Sequence, residues 1–320
     1  MSDGTANRPA EAAGRAEAED EGDTGTVHGH VRVLLLTFEF NDLYLDQETQ
    51  DVQAAFERLN YDVESYNIPM LRSQRCVQKR VASFLQEGDM DTLTIIYYHG
   101  HGAFDDGKDW CGFKLISHQV PDQSKTISLR DIIRTLWDGL NVDDPRTRAR
   151  IRETYQNYQR IASVRWEDIQ DDIIDAECDT LTILDCCGAG LAAVSNLEEV
   201  VEQKSKWQRL QRLQFQVEDG HEFHGTRNEL IAASTWAEST PGMASAMIEA
   251  LEWNLEREGS MASAPTIIRN MNNILAAEYV SDWRRNAPYA MPQAVHYILR
   301  RTLRPKILLE FRAPAQAPEE

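Results

Sequence analysis

The feature that most constrains the fold is an alternation. Short apolar runs of strand length are separated by stretches whose apolar residues recur at helical spacing. The runs are Val31 to Thr37, Tyr61 to Tyr66, Thr92 to Tyr98 and the segment holding Leu181 to Leu184. Between them, Asp46 to Leu59 puts Val52, Ala55, Phe56 and Leu59 on one helical face, and Val77, Val81, Phe84 and Leu85 recur likewise after Ser73. Asp46 and Ser73 are placed to cap these two helices. Residues 165 to 177 give a third helix with Trp166, Ile169 and Ile173 on one side. Strands buried on both faces read as continuous apolar runs, and strand–helix–strand units lay their strands parallel. The pattern therefore predicts an α/β fold of three layers, with a mostly parallel central sheet of about six strands.

Further along, a strand near Glu229 to Thr235, helices from Pro241 to Leu255 and Thr266 to Tyr279, and a last strand near Lys306 to Glu310 complete the expected domain. Phe104 to Val164 is longer than an ordinary strand-to-helix connection. It reads as an insertion with helix-like runs at Ser128 to Leu140 and Pro145 to Ile161. Leu191 to Phe215 reads as a helical link between two halves.

Acidic residues outnumber basic ones 52 to 33, for a formal charge of −19, which disfavours nucleic acid as a partner and favours cationic peptides. Residues 1 to 28, rich in Ala, Glu, Asp and Gly without apolar periodicity, are expected to be a disordered acidic tail, as are residues 313 to 320. No run is long enough to span a membrane, and no basic-then-apolar leader precedes Val33, so the expected location is cytoplasmic. Five cysteines, odd in number and unevenly spaced, disfavour a secreted disulfide framework.

Two strings follow apolar runs and end in small residues: Tyr97-Tyr98-His99-Gly100-His101-Gly102 and Asp185-Cys186-Cys187-Gly188-Ala189-Gly190. Both place reactive side chains where a buried strand ends, the edge at which open α/β sheets bind ligands. A neutral thiol is a weak nucleophile, and an imidazole that takes its proton makes it reactive. Gly100, Gly102, Gly188 and Gly190 let backbone approach a substrate closely. A helix starting near Ala189 would set its positive end beside Cys187. The vicinal Cys186 and Cys187 lack further Cys or His at zinc spacing, so no metal site is expected there. His221 and His224 stand three apart rather than the four of His-Glu-x-x-His, and read as a surface loop.

The paired strings resemble the His-Gly and Asp-x-Cys-x-Gly signatures of the caspase-like cysteine peptidases of clan CD, with metacaspases and fungal caspase-like domains most similar. The resemblance runs from about Val31 to about Phe311 and includes Phe38-Glu39-Phe40-Asn41-Asp42-Leu43 and Glu229 to Ser234. It implies a caspase-hemoglobinase-like α/β/α domain over residues 29 to 312. A large-subunit-like half would cover 29 to 203, a linker 204 to 226, and a small-subunit-like half 227 to 312. Residue by residue, it implies His101 as catalytic histidine, Cys187 as nucleophile, and backbone N–H groups of Gly102 and Cys187 as oxyanion donors. His99 stands where a small residue is usual, and Gly188-Ala189 replaces His-Ser.

Side chains two apart on an extended segment share a face, so Asp185 is expected on the cleft side of Cys187. A carboxylate there suits a guanidinium or ammonium group. Metacaspases carry Asp at that position and cut after Arg or Lys. The resemblance thus implies a basic residue at P1, the position before the scissile bond, with Asp42 as a second wall of the S1 pocket. The basic segment Lys204 to Arg212 would then be a self-processing site. Calcium, which many metacaspases need, could be held by Asp105-Asp106-Gly107-Lys108-Asp109; no other cofactor is implied. The expected function is a cysteine endopeptidase acting on basic peptide or protein substrates. The alternative is an inactive caspase-like scaffold in a cell-death or defence pathway. The last strand is too weakly marked to fix the oligomeric state.

Overall fold

The computed structural model describes residues 25–43, 45–106, 111–118, 145–147, 149, 161–193, 225–233, 242–256, 259–283, 293–300 and 302–312. In chain order the strands are β1 (Gly25–Thr26), β2 (His30–Phe38), β3 (Asp62–Ile68), β4 (Thr92–His99), β5 (His101–Asp106), β6 (Cys111–Ile116), β7 (Ser163–Arg165), β8 (Asp179–Asp185), β9 (Asn228–Ala232), β10 (Met261–Ser263), β11 (Val295–Arg300) and β12 (Lys306–Glu310). The α-helices are α1 (Asp46–Arg58), α2 (Ser73–Gln86), α3 (Glu167–Ile174), α4 (Met243–Asn254) and α5 (Ala264–Trp283).

The central sheet has the order β11-β9-β8-β4-β2-β3. Its first five strands in sequence run parallel, and β11 closes one edge antiparallel to β9. Every residue of β4 and β8 is buried, as central strands covered on both faces require. Alternate residues serve opposite cores. Ile95 and Tyr97 of β4 pack with Val52 and Phe56 of α1 and Met247 of α4. Ile96 and Tyr98 pack with Val77, Val81 and Phe84 of α2 and Ile169 of α3. This is the three-layer, mostly parallel α/β architecture that the sequence implies.

Several expectations are corrected. The sixth strand of the central sheet is β11, whereas β12 leaves that sheet to pair with β1 and β10 in a separate three-stranded sheet. The expected insertion, read only for helix-like runs, is framed by strands: β5, β6 and β7 form an antiparallel sheet of their own. Neither expected cap forms. The N-cap position of α1 is Leu45, and Ser73 donates its hydroxyl to the Pro69 carbonyl at 2.7 Å instead of accepting from its own helix. After Cys187 the chain enters a five-residue 3-10 turn, Ala189–Ala193, so the α-helical dipole expected beside the thiol is reduced to a single tight turn. The runs at 128–140 and 194–215, most of 145–161, residues 1–24 and 313–320 of the expected tails, and the linker as far as residue 224, with the histidines at 221 and 224, lie outside the described residues. Residues 25–28, expected in the disordered tail, are ordered instead, as β1 and as His28 buried against Asp179.

Candidate active site

Parallel strands end at a common edge, and here that edge collects the reactive residues. In the β4–β8 ladder Tyr98 stands opposite Leu184 and His99 opposite Asp185, and in the β2–β4 ladder Leu36 stands opposite Tyr98. The pairing runs on past the strands, with the Gly100 N–H donating to the Asp185 carbonyl at 3.2 Å. Asp42 arrives on the loop after β2, His99 and His101 at the β4–β5 corner, and Asp185 to Cys187 at the end of β8.

The corner is tied down from below. The hydroxyl of fully buried Tyr98 reaches the carbonyls of His101, at 2.8 Å, and Ile116, at 3.3 Å. The loop carrying Asp42 is held at Phe40, whose ring meets His118 edge-on at 5.5 Å. Gly102 is obligatory. A Cβ there would overlap the Cys187 carbonyl oxygen and come within 2.9 Å of the Phe113 ring and 3.0 Å of the Cys186 sulfur. The His-Gly string and the Cys-Cys string are thus in direct backbone contact. Gly188, at φ +67°, turns the chain just after Cys187 in a conformation that side chains disfavour.

His101 is buried and its Nε2 stands 2.6 Å from Oδ1 of Asp42. Partial burial pushes the Asp42 carboxyl up, but the hydrogen bond and charge of His101 outweigh it and hold the group below its ordinary value. Asp42 is therefore ionised at neutral pH and accepts the Nε2 hydrogen, so Nδ1 is the ring nitrogen not engaged by the carboxylate. Asp42, expected as a wall of an S1 pocket, is thus committed to the imidazole.

Cys187 is partly exposed and Cys186 buried, on the face of β8 that packs with α2 and α3. Burial pushes the Cys187 thiol up, against its own backbone N–H, and the Asp185 charge adds to the rise. Among the described residues no hydrogen bond joins it to the His101 ring. A thiol of this kind rests protonated, and its thiolate must be generated by a base at the moment of attack.

Asp185 is buried and accepts the Tyr97 hydroxyl at 3.0 Å. Its Oδ2 lies 3.5 Å from Nε2 of His99, and that nitrogen also stands 3.3 Å from Oε2 of Glu48 in the first turn of α1. Burial pushes the Asp185 carboxyl up to about 7, with the Glu48 charge assisting and the Tyr97 hydrogen bond opposing. Burial pushes His99 down to about 4, so its ring is neutral at physiological pH. Glu48 carries no signal in the sequence, because an acidic residue in the first turn of a helix is ordinary. The one available signal was the bulk of His99 where a small residue is usual.

Of the remaining candidates, Asp105 accepts Lys114 Nζ at 2.6 Å, and residues 107–110 lie outside the described set. Among the described residues no group of three His, Cys, Asp or Glu side chains is arranged to hold a metal ion, and no helix is long and apolar enough to cross a membrane.

The fold and site together define an α/β domain with a Cys/His pair at the carboxyl edge of its sheet. Among solved structures the chain is similar to caspase-1 from Spodoptera frugiperda, with 12% identity and a TM-score of 0.45 over 91% of this chain and 93% of that one. It is similar to pro-Sf-caspase-1, with 12% identity and a TM-score of 0.38 over 87% and 94%. A protein from Geobacter sulfurreducens gives 9% identity and a TM-score of 0.43 over 84% and 93%. No family model matches the chain, and no curated protein matches it.

Proposed function

We propose that the protein is a cysteine endopeptidase of the caspase-like type, cutting after Arg or Lys. The observation that carries this reading is the Asp42–His101 pair, seated on a strand whose next residue, Gly102, abuts the backbone of Cys187. In this reading the Nδ1 lone pair of His101 takes the Cys187 proton as sulfur attacks the scissile carbonyl carbon. The backbone N–H groups of Gly102 and Cys187 receive the oxyanion. His101 returns the proton to the leaving amine, releasing the first product and an acyl-enzyme thioester. A water, deprotonated by the same imidazole, hydrolyses that thioester. Asp42 holds the ring and stabilises the imidazolium, the part a carboxylate plays in other nucleophile–histidine sites. Asp185 would receive the cationic P1 head group, and Lys204 to Arg212 would be the self-processing segment.

The test is hydrolysis of matched fluorogenic peptides ending in Arg, Lys or Asp by wild type, Cys187→Ala and Asp185→Ala, with calcium and with chelator. Cleavage after Arg or Lys that is lost in both variants is the expected result. Absence of cleavage under every condition by folded protein would instead favour a scaffold, the reading to which a protonated Cys187 thiol with no hydrogen bond to His101 among the described residues points.

A further inference from the structure

His99 stands at this edge among the reactive residues, and the proposed chemistry does not use it. Its ring is buried, 5% exposed, with Nε2 between the carboxylates of Asp185 and Glu48. Its Nδ1 is buried with no hydrogen-bond partner among the described residues. Burying an imidazole with one nitrogen unsatisfied costs stability, so the position is poorly explained as a device for holding the fold. Glu48, by contrast, has a side chain 58% exposed, so its carboxylate meets solvent on the α1 side, while Asp185 lies buried behind it against His99 and Tyr97.

We propose that His99 is a specificity-determining residue, an internal occupant of the P1 pocket that a basic side chain must displace to reach Asp185 and Glu48. The inference rests on the assignment of Asp185 to that pocket. A guanidinium binds a carboxylate through forked charged donors at about 2.7–2.9 Å, closer than the 3.5 and 3.3 Å at which His99 Nε2 stands from Asp185 and Glu48, and in the space that the ring occupies. Both cannot hold that place. The ring is neutral, so an incoming cation is the stronger partner for the Glu48 carboxylate and for Asp185, whose carboxyl ionises near pH 7 and is driven to do so by the bound cation. The pocket is thereby closed to side chains that fill space without bringing charge. Apparent affinity for a basic head group is reduced by the fraction of time the ring is in place.

The experiment uses benzamidine, a guanidinium-like probe, on the full chain with Cys187→Ala as background, so that no turnover interferes. Adding His99→Ser is expected to tighten benzamidine binding about tenfold or more in calorimetry, equivalent to a ring that occupies the pocket at least about nine-tenths of the time. Adding Asp185→Asn to that protein is expected to abolish the gain. If His99→Ser does not fold, the His99 ring proton signals of the Cys187→Ala protein, followed by NMR during benzamidine titration, provide the readout. Displacement moves them in step with binding, and signals unmoved at saturation overturn the proposal. Equal or weaker binding to folded His99→Ser overturns it too. The two readings fail separately. Hydrolysis of Arg peptides with unchanged benzamidine affinity in His99→Ser removes the occupant role and leaves the peptidase. Tightened binding without hydrolysis by wild type leaves the pocket and removes the peptidase.

Discussion

At the scale of single residues, the contact that matters most is the one between His101 and Asp42. It decides which imidazole nitrogen is available, and it does so with a carboxylate held ionised by the ring it orients. Asp42→Asn keeps the shape and loses the charge, and an amide can present either its oxygen or its N–H₂ to the ring, so the tautomer is no longer fixed. The expected outcome is a kcat about 10²-fold or more lower, with KM little changed, in peptide hydrolysis. An unchanged kcat would detach Asp42 from the chemistry. Gly102 is the second critical residue. Gly102→Ala drives a methyl group into the Cys187 carbonyl and against Cys186 and Phe113, so strand β5 must move away from the nucleophile. Loss of activity with a stability decrease of about 1–3 kcal/mol, measured by denaturant unfolding, is expected.

At the scale of elements, the opposite edge of the sheet is held by charge. Asp179, at the start of β8, is fully buried and accepts from His28 at 2.9 Å, the Arg227 N–H at 2.7 Å and Arg304 at 2.6 Å. Burial pushes its carboxyl up, but the hydrogen bonds from His28 and the Arg227 N–H prevail and hold it below the ordinary 3.8. A carboxyl with a depressed folded value contributes stability above its unfolded value and loses it as pH falls through the folded one. Asp179→Ala leaves His28 and Arg304 without their anion and is expected to cost about 3–5 kcal/mol in denaturant melts at pH 7. The deficit should shrink as pH falls below about 3.8; a deficit equally large at pH 2.5 would show that packing rather than charge is lost.

This network also shows where sequence reading stopped. Strands β2, β4 and β8 were legible because burial on both faces leaves an apolar run, and the helical faces of α1, α2 and α3 because Val52, Val77, Ile169 and their partners repeat at one spacing. Strand β11 was not, since it is an edge strand, only partly buried, with His296 and Arg300 in its short run. Strand β12 was legible as a strand but not in its pairing, which depends on a two-residue partner, β1, at the far end of the chain. At the site, the two strings announced His101 and Cys187. The tie between His101 and Asp42, 59 positions apart, and that between His99 and Glu48 exist only in three dimensions.

At the scale of the whole molecule, the pair formed by Asp185 and His99 gives folding an internal acid–base reaction. Between about pH 4 and 6.5 the unfolded chain carries a carboxylate and an imidazolium, since the ordinary values are 3.8 and 6.5. Folding raises the first to about 7 and lowers the second to about 4, so the folded protein carries a carboxylic acid and a neutral imidazole. One proton is bound before and one after; only its address changes. The contributions of the two groups to the pH dependence of stability therefore cancel in the wild type. Removing either partner unmasks the other. In Asp185→Asn the folded state binds fewer protons than the unfolded one, and stability is expected to rise from about pH 4 to 6.5. In His99→Ser it binds more, and stability is expected to fall from about pH 4 to 7. Thermal melts across that range at fixed ionic strength would show two opposite slopes about the wild-type line, and three parallel curves would refute the exchange. Folding then acts as a neutralisation, delivering to the binding edge a pair that is uncharged over that range and whose acid proton a bound cation would expel.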